Sequence, residues 1–369
     1  MRPRVPFAER GGALRGLVDL ATGGYPAFLF GGSLTGILPV FHFHEVTTEW
    51  LEPRLRFLAE NGYRTVTCDE IARFVIDRID PGPRRVGLTF DDAWASVWTV
   101  AAPLLRQYHL TAMLFAIPGR IPDAAAVRPA GAGDGPVFAT WPELRQLQSS
   151  GLMDVQSHTH SHAMMFSDAA VLEFVTPEFA REPLLARPLV SVPGDTGDVQ
   201  FVEPDALGTP LHLRRSRMSD ARRFVPDREV VDRCRNHVAR HGGASFFDRP
   251  SWRGELRSLA IGRAGACESD ADRAAAIRLE LALGRERLDA GLGSTDVRHV
   301  ALPWGIAGEV TRRSLAGTGH RTAFAERPFR HRGVRAGGDP FQIGRLNAKF
   351  LTCLPGRGRQ WFLTTSTAV

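Results

Sequence analysis

Strand-like and helix-like segments alternate along this chain, and that alternation constrains the fold more than any other feature. Gly36 to Phe43 is a short apolar run after a glycine and reads as a strand. Trp50, Leu51, Leu55 and Leu58 recur at helical spacing over Thr48 to Asn61, where Asn61-Gly62 is a stop signal. A strand over Arg64 to Thr67, a helix over Asp69 to Ile79 and a strand over Val86 to Phe90 follow. Next come a helix over Ala93 to Tyr108, a strand over Thr111 to Ile117, a Gly/Pro/Ala-rich loop over Pro118 to Val137, a helix over Trp141 to Ser150 and a strand over Leu152 to Gln156. The rhythm resumes with a long helix from about Ala271 to Leu292. It ends with a strand over Val297 to Leu302, a helix over Gly308 to Ala316 and strands over Arg321 to Ala325 and Phe341 to Leu346. Such alternation predicts an α/β fold, a parallel sheet or barrel with right-handed crossovers. Functional residues then belong at the C-terminal ends of the strands.

Ala163 to Glu268 interrupts the pattern with many prolines and few clear helices before Asp227, and it is far longer than an ordinary connection. The expected organisation is therefore an N-terminal extension (1–36), a first part of the barrel (37–162), an insertion forming a lid or small subdomain (163–268) and a second part of the barrel (269–369). The insertion's place directly after the richest polar motif favours a lid, with a packed decoration of the outer face as the alternative.

Composition excludes several classes. Of 369 residues, 43% are hydrophobic and 23% charged, ordinary for a globular chain. No run approaches the roughly 20 apolar residues of a membrane helix. Glu9, Arg10, Arg15 and Asp19 break any apolar core of a signal peptide, so the expected location is cytoplasmic. Cys68, Cys234, Cys267 and Cys353 are scattered, without disulfide or zinc-knuckle spacing. The net charge is +6 and Lys349 is the only lysine. Arginine bias accounts for most of this excess. No aromatic-interleaved basic stripe suggests nucleic acid, while a phosphate-bearing substrate or a peripheral membrane contact stays open.

Two segments carry chemistry. Thr89-Phe90-Asp91-Asp92-Ala93 closes a hydrophobic strand with adjacent carboxylates, which suit either a metal and hydrogen-bond network or a helix cap. Ser157-His158-Thr159-His160-Ser161-His162 follows another strand, and His158 and His162 are spaced to converge on one ion. Two imidazoles and one carboxylate form a recurrent set for a catalytic divalent metal. The alternative for the histidine run is a solvated turn with adventitious metal affinity. Its pairing with a second such segment at a neighbouring strand end weakens that alternative.

TFDDA followed by SHTHSH resembles the NodB-homology polysaccharide deacetylases, carbohydrate esterase family 4. Their first motif is TFDD with a small residue, and their second is matched here by His158, Thr159, Ser161 and His162. Phe57 to Tyr63, Pro103-Leu104-Leu105, Thr111-Ala112, Trp141 to Leu144 and Ser150-Gly151-Leu152 also resemble that family. The resemblance covers about Ile37 to His162 and Ala276 to Arg345. It implies a distorted (β/α) barrel, a divalent metal on Asp92, His158 and His162, and Asp91 as general base. Zinc is the first expectation for the ion, with cobalt, nickel, manganese or iron also suited. Leu302-Pro303-Trp304-Gly305 is similar to the third motif, which makes Pro303 and Trp304 candidate substrate-binding residues, with filling of the barrel mouth as the bland role for Trp304. Ala301 stands where many members carry an arginine that orients the aspartate. A Leu-x-His fifth motif is missing, so the general acid falls to His44, at the end of the first strand. His42 shares its side of the strand, and either residue could instead be a satisfied core histidine. His320 and His331 are distant alternatives, and His160 is expected behind the ligands or exposed.

The implied chemistry is amide hydrolysis. A metal acidifies water toward a pKa of ~7, Asp91 takes its proton, and His44 protonates the leaving amine. The substrate class is an N-acetylated amino sugar or carbohydrate, in the cytoplasm a lipid- or nucleotide-linked intermediate. The competing readings are hydrolysis of a formamide, cyclic amide or O-acetyl ester on the same fold, and a catalytically inactive carbohydrate-binding protein.

Overall fold

The computed structural model describes residues 25–129, 135–190, 199–261, 265–326 and 333–362. Most of the N-terminal extension, His331, Pro193 and part of the Gly/Pro/Ala-rich loop lie outside them. The chain divides into two compact units. Among the described residues, the larger takes in those from 25 to 161, Leu281–Ala307, 312–326 and 333–362. The smaller runs His162–Glu280 together with Gly308–Thr311, reaching past the 163–268 expected from composition.

The strands in chain order are β1 (Val40–Phe43), β2 (Arg64–Thr65), β3 (Arg85–Asp92), β4 (Ala112–Ala116), β5 (Met153–Ser157) and β6 (Met164–Phe174). They continue with β7 (Pro210–Ser216), β8 (Phe224–Val225), β9 (Ala266–Cys267), β10 (His299–Ala301), β11 (Thr322–Phe324) and β12 (Leu346–Asn347). In the larger unit the sheet order is β11-β10-β5-β4-β3-β1-β12, with β2 on β3, and every pairing is parallel. The segment leading into β12 joins the two edges: Ile343 bridges Phe324 of β11, and Leu346 pairs with Phe41 of β1. The sheet thus curls into the expected α/β barrel. The last predicted strand, 341–346, is reduced to this crossing and the short β12, because Ile343 and Leu346 pair with opposite edges.

Period-two alternation builds two apolar layers. On β4, Ala112, Leu114 and Ala116 join the layer of Leu51, Leu55, Leu58, Leu105 and Leu288, which seals the helices against the sheet. Met113 and Phe115 join the interior with Val40, Ala301, Phe324 and Ile343. On β3, Leu88 and Phe90 lie in the helix-facing layer, so Thr89 and Asp91 take the inward side. On β1, Val40 is interior, which puts His42 and His44 on the same inward side.

The smaller unit is built on the antiparallel pair β6·β7, whose register shifts between Phe166 and Glu173. That bulge is why the hydrophobic alternation of Met164 to Phe174 is not clean enough to read as one strand. The helices Arg228–Arg240 and Trp252–Leu259 pack Cys234, Val238, Trp252 and Leu256 around Phe174 and Phe246. Asp220 accepts from the Val310 N–H at 2.7 Å and the Thr311 N–H at 3.2 Å, capping the helix Glu309–Gly317. This cap explains why Gly308–Thr311 clusters with the smaller unit. Among the described residues, no helix is long and apolar enough to cross a membrane.

His320 precedes β11, at the end of the sheet away from the two motifs, so it is not the missing acid. It is buried at 4% exposure, with Nδ1 3.0 Å from Thr318 Oγ1. Burial first, then the Arg285 charge, lowers its pKa to about 4. The unfolded chain binds a proton near pH 6.5 and the folded one near 4, so stability is lost as pH falls through that window. The loss approaches roughly 3 kcal/mol. Urea unfolding at pH 7 and pH 4.5 is expected to show this slope in the wild type and a flatter one in His320→Leu.

Candidate active site

Parallel strands bring four chain segments to one mouth. Asp91 and Asp92 end β3, His158 follows β5, Pro303 and Trp304 follow β10, and His44 follows β1. Two adjacent residues on an extended strand point to opposite faces. Here the strand alternation ends in left-handed backbone, with φ of 69° at Asp92 and 60° at Ala93, and both carboxylates are buried in the same site. This turn also displaces the expected helix. Helical backbone starts at Ala95, passes through a π-helical turn over Val97–Ala101 and continues as the α-helix from Ala102, while Asp91 and Asp92 are still in β3, so neither caps a helix. Thr159, His162 and Trp304 are left-handed too, with φ of 63°, 55° and 60°. Backbone strain of this kind gathers at functional sites.

Asp92, His158 and His162 are all buried, and one donor atom from each lies within 4.8 Å of the others. His158 Nδ1 sits 2.7 Å from the Ala301 carbonyl oxygen. A ring N–H donated there leaves Nε2 to face Asp92 Oδ1 at 3.3 Å. The other carboxylate oxygen of Asp92 accepts the Trp94 indole N–H at 2.9 Å. Trp94 in turn stacks on Phe138, at 5.0 Å between ring centroids. The donor set and its outer hydrogen bonds fit a divalent metal with coordination positions left for water. Trp94 was not legible from the sequence, since a helix starting at Ala93 gives it no route to Asp92. Trp94→Phe keeps the stack and removes the donor. It is expected to weaken metal binding by about 10- to 100-fold, read by competition with a chelator of known affinity.

Asp91 is held differently. Arg345 donates to it through both arms of its guanidinium, Nη1 to Oδ1 at 2.6 Å and Nη2 to Oδ2 at 2.8 Å. Nη1 also donates to Thr89 Oγ1 at 3.1 Å. Burial pushes the Asp91 carboxyl up, but Arg345 and then His158 outweigh it and hold the pKa well below the usual carboxylate range. Burial likewise pushes His158 down, while Asp91 and Asp92 more than offset it and raise its pKa. The aspartate-orienting arginine absent at position 301 is therefore supplied by Arg345, 254 residues along the chain from Asp91. Its sequence signal is one charged side chain in the last predicted strand, Phe341 to Leu346.

His44 stands at the open side, its side chain 54% exposed and its Nε2 3.9 Å from Asp91 Oδ2. His160, between His158 and His162 in sequence, is buried rather than exposed. Its carbonyl accepts the Gly119 N–H at 2.8 Å. Of the two expected substrate-facing residues, Trp304 is 52% exposed, whereas Pro303 is buried and shapes the turn that carries it.

Residues 78–184 match the family model for polysaccharide deacetylases, a segment that contains both motifs. The poly-beta-1,6-N-acetyl-D-glucosamine N-deacetylase of Escherichia coli K12 is 33% identical over 125 residues, 32% of this chain and 18% of that protein. The chain thus spans about a fifth of the length of that curated relative. Among solved structures, the BpsB deacetylase domain of Bordetella bronchiseptica superposes with a TM-score of 0.53 at 18% identity, covering 84% of this chain and 95% of that one. That likeness speaks for the barrel, and the matched segment holds Asp91, Asp92, His158 and His162. It is the segment 78–184, and not the chain as a whole, that the polysaccharide deacetylase model matches.

Proposed function

We propose that this protein is a metal-dependent hydrolase that removes N-acetyl groups from an amino-sugar-containing carbohydrate. The observation that carries the reading is the division of labour between adjacent carboxylates: Asp92 joins His158 and His162 in one donor cluster, while Asp91 is kept apart and anionic by Arg345. The substrate follows from the relative's name, and N-acetylglucosamine oligomers with β-1,6 links are the first candidates. Zinc suits two imidazoles and a carboxylate, and we take it as the resident ion.

A divalent ion held by Asp92, His158 and His162 supplies Lewis acidity toward a carbonyl oxygen and acidifies water. Asp91, ionised and fixed by the guanidinium fork, accepts the proton of the attacking water. The same grip that fixes its orientation lowers its basicity, so Arg345 favours geometry over proton affinity. His44, on the solvent side of Asp91, delivers a proton to the departing amine. Trp304 offers an apolar face against which a sugar ring or acetyl methyl packs.

The test is acetate release by the zinc-reconstituted protein from N-acetylated oligosaccharides, with O-acetyl and N-formyl analogues alongside. Asp91→Asn is expected to retain metal and lose about 10²- to 10⁴-fold in kcat. Acetate release unchanged in Asp91→Asn, or turnover of only the formyl or ester analogues, contradicts the proposal.

A further inference from the structure

We propose that His42, His44 and Asp91 form a second, weaker divalent-metal site, and that an ion bound there switches the hydrolase off. One donor atom from each of the three lies within 4.8 Å of the others, a cluster separate from Asp92, His158 and His162. Strand geometry builds it. His42 and His44 are two apart on the inward side of β1, with ring centroids 5.5 Å apart. His42 pairs in register with Thr89 of β3, which places His44 across from Asp91. The donor chemistry repeats that of the first cluster, two imidazoles and one carboxylate.

Two features make this site the weaker one. Donors around one zinc ion lie about 3 to 3.5 Å apart, so the 3.9 Å between His44 Nε2 and Asp91 Oδ2 must close slightly. The half-exposed His44 side chain has room for that movement. Arg345 also places a positive charge on both Asp91 oxygens, which opposes a second cation. Each carboxylate oxygen nevertheless has a further lone pair beyond the one Arg345 occupies. The site therefore fills only after the first.

The inhibitory consequence rests on the proposed deacetylase reading. An ion on His44 and Asp91 occupies the two groups assigned to proton transfer, so excess metal removes base and acid together. No covalent or redox step is involved.

The test strips the whole 369-residue chain with a chelator and titrates it with Zn²⁺ under equilibrium dialysis, counting bound zinc and released acetate in parallel. The wild type is expected to reach two zinc ions per chain, one tight and one weak, with acetate release rising as the first binds and falling as the second binds. His42→Ala and the more conservative His42→Gln are expected to stop at one ion and to keep the activity without the fall. Asp92→Ala is expected to lose the tight ion and keep the weak one. A wild type that saturates at one ion, or His42 variants that still bind two, overturns the proposal. Two ions with the expected variant pattern but no acetate at any loading leaves the second site standing and removes the deacetylase reading instead.

Discussion

Arg345→Met is expected to cost both stability and activity. The Arg345 side chain is 9% exposed and the Asp91 side chain 3%. Removing one partner of so buried an ion pair leaves the other charge uncompensated, a loss of about 3 to 5 kcal/mol. Urea unfolding at neutral pH measures it. The sign of the pH effect follows from the depressed carboxyl. In the wild type, Asp91 adds stability above its unfolded pKa, and that contribution is lost only as pH falls through the much lower folded value. Without the fork the carboxyl rises toward or above its ordinary range, so the acid limb of the kcat/KM profile shifts to higher pH. Arg345→Lys keeps one positive charge but not the two parallel hydrogen bonds, and is expected to recover part of the stability and little of the activity. An unchanged acid limb in Arg345→Met would mean that Asp91 is not the group titrating there.

Gly284→Ala is the second large effect, and it runs against helix propensity. Gly284 lies inside the helix Asp270–Leu292, where alanine is worth about 1 kcal/mol over glycine. A Cβ at that position would lie 2.7 Å from Ser157 Oγ, 2.9 Å from the Thr159 carbonyl carbon and 3.0 Å from the His160 nitrogen. Two of those three are backbone atoms, so the His158–His162 segment must move. Gly119 presses on the same segment: a Cβ there would lie 2.7 Å from the His160 carbonyl oxygen. The ligand loop is thus gripped at two points by residues that tolerate no side chain. A displacement near 1 Å costs about 10²-fold in kcat/KM, and Gly284→Ala is expected to lose that much along with zinc affinity, without any gain in thermal stability. A more stable variant with normal zinc binding would show that the loop is not held by this helix.

What the sequence disclosed and what it hid divide along physical lines. The strand–helix alternation was legible because each element buries a regular apolar face, and Leu51, Leu55 and Leu58 or Leu114 and Val155 take their expected places in the core. The ligand segments were legible because Asp91-Asp92 and His158 to His162 are short and local. Arg345 and Trp94 were hidden for opposite reasons. Arg345 reaches Asp91 only through barrel closure, which sequence spacing does not encode. Trp94 sits two residues from Asp92, but its contact depends on left-handed backbone at Asp92 and Ala93, non-glycine residues that give no warning of it. Gly284 carries no sequence signal of its role, since that role depends on the backbone packed against it.

The central claim is that Asp92, His158 and His162 hold a metal that the hydrolysis requires. The most direct test measures tightly bound zinc and acetate release together, after reconstitution and dialysis, in the wild type, Asp92→Ala and His158→Ala, with circular dichroism to establish folding. The account predicts tightly bound zinc and acetate release in the wild type and the loss of both in each folded variant. A folded wild type that retains no zinc, or a folded variant that releases acetate at the wild-type rate, would contradict it.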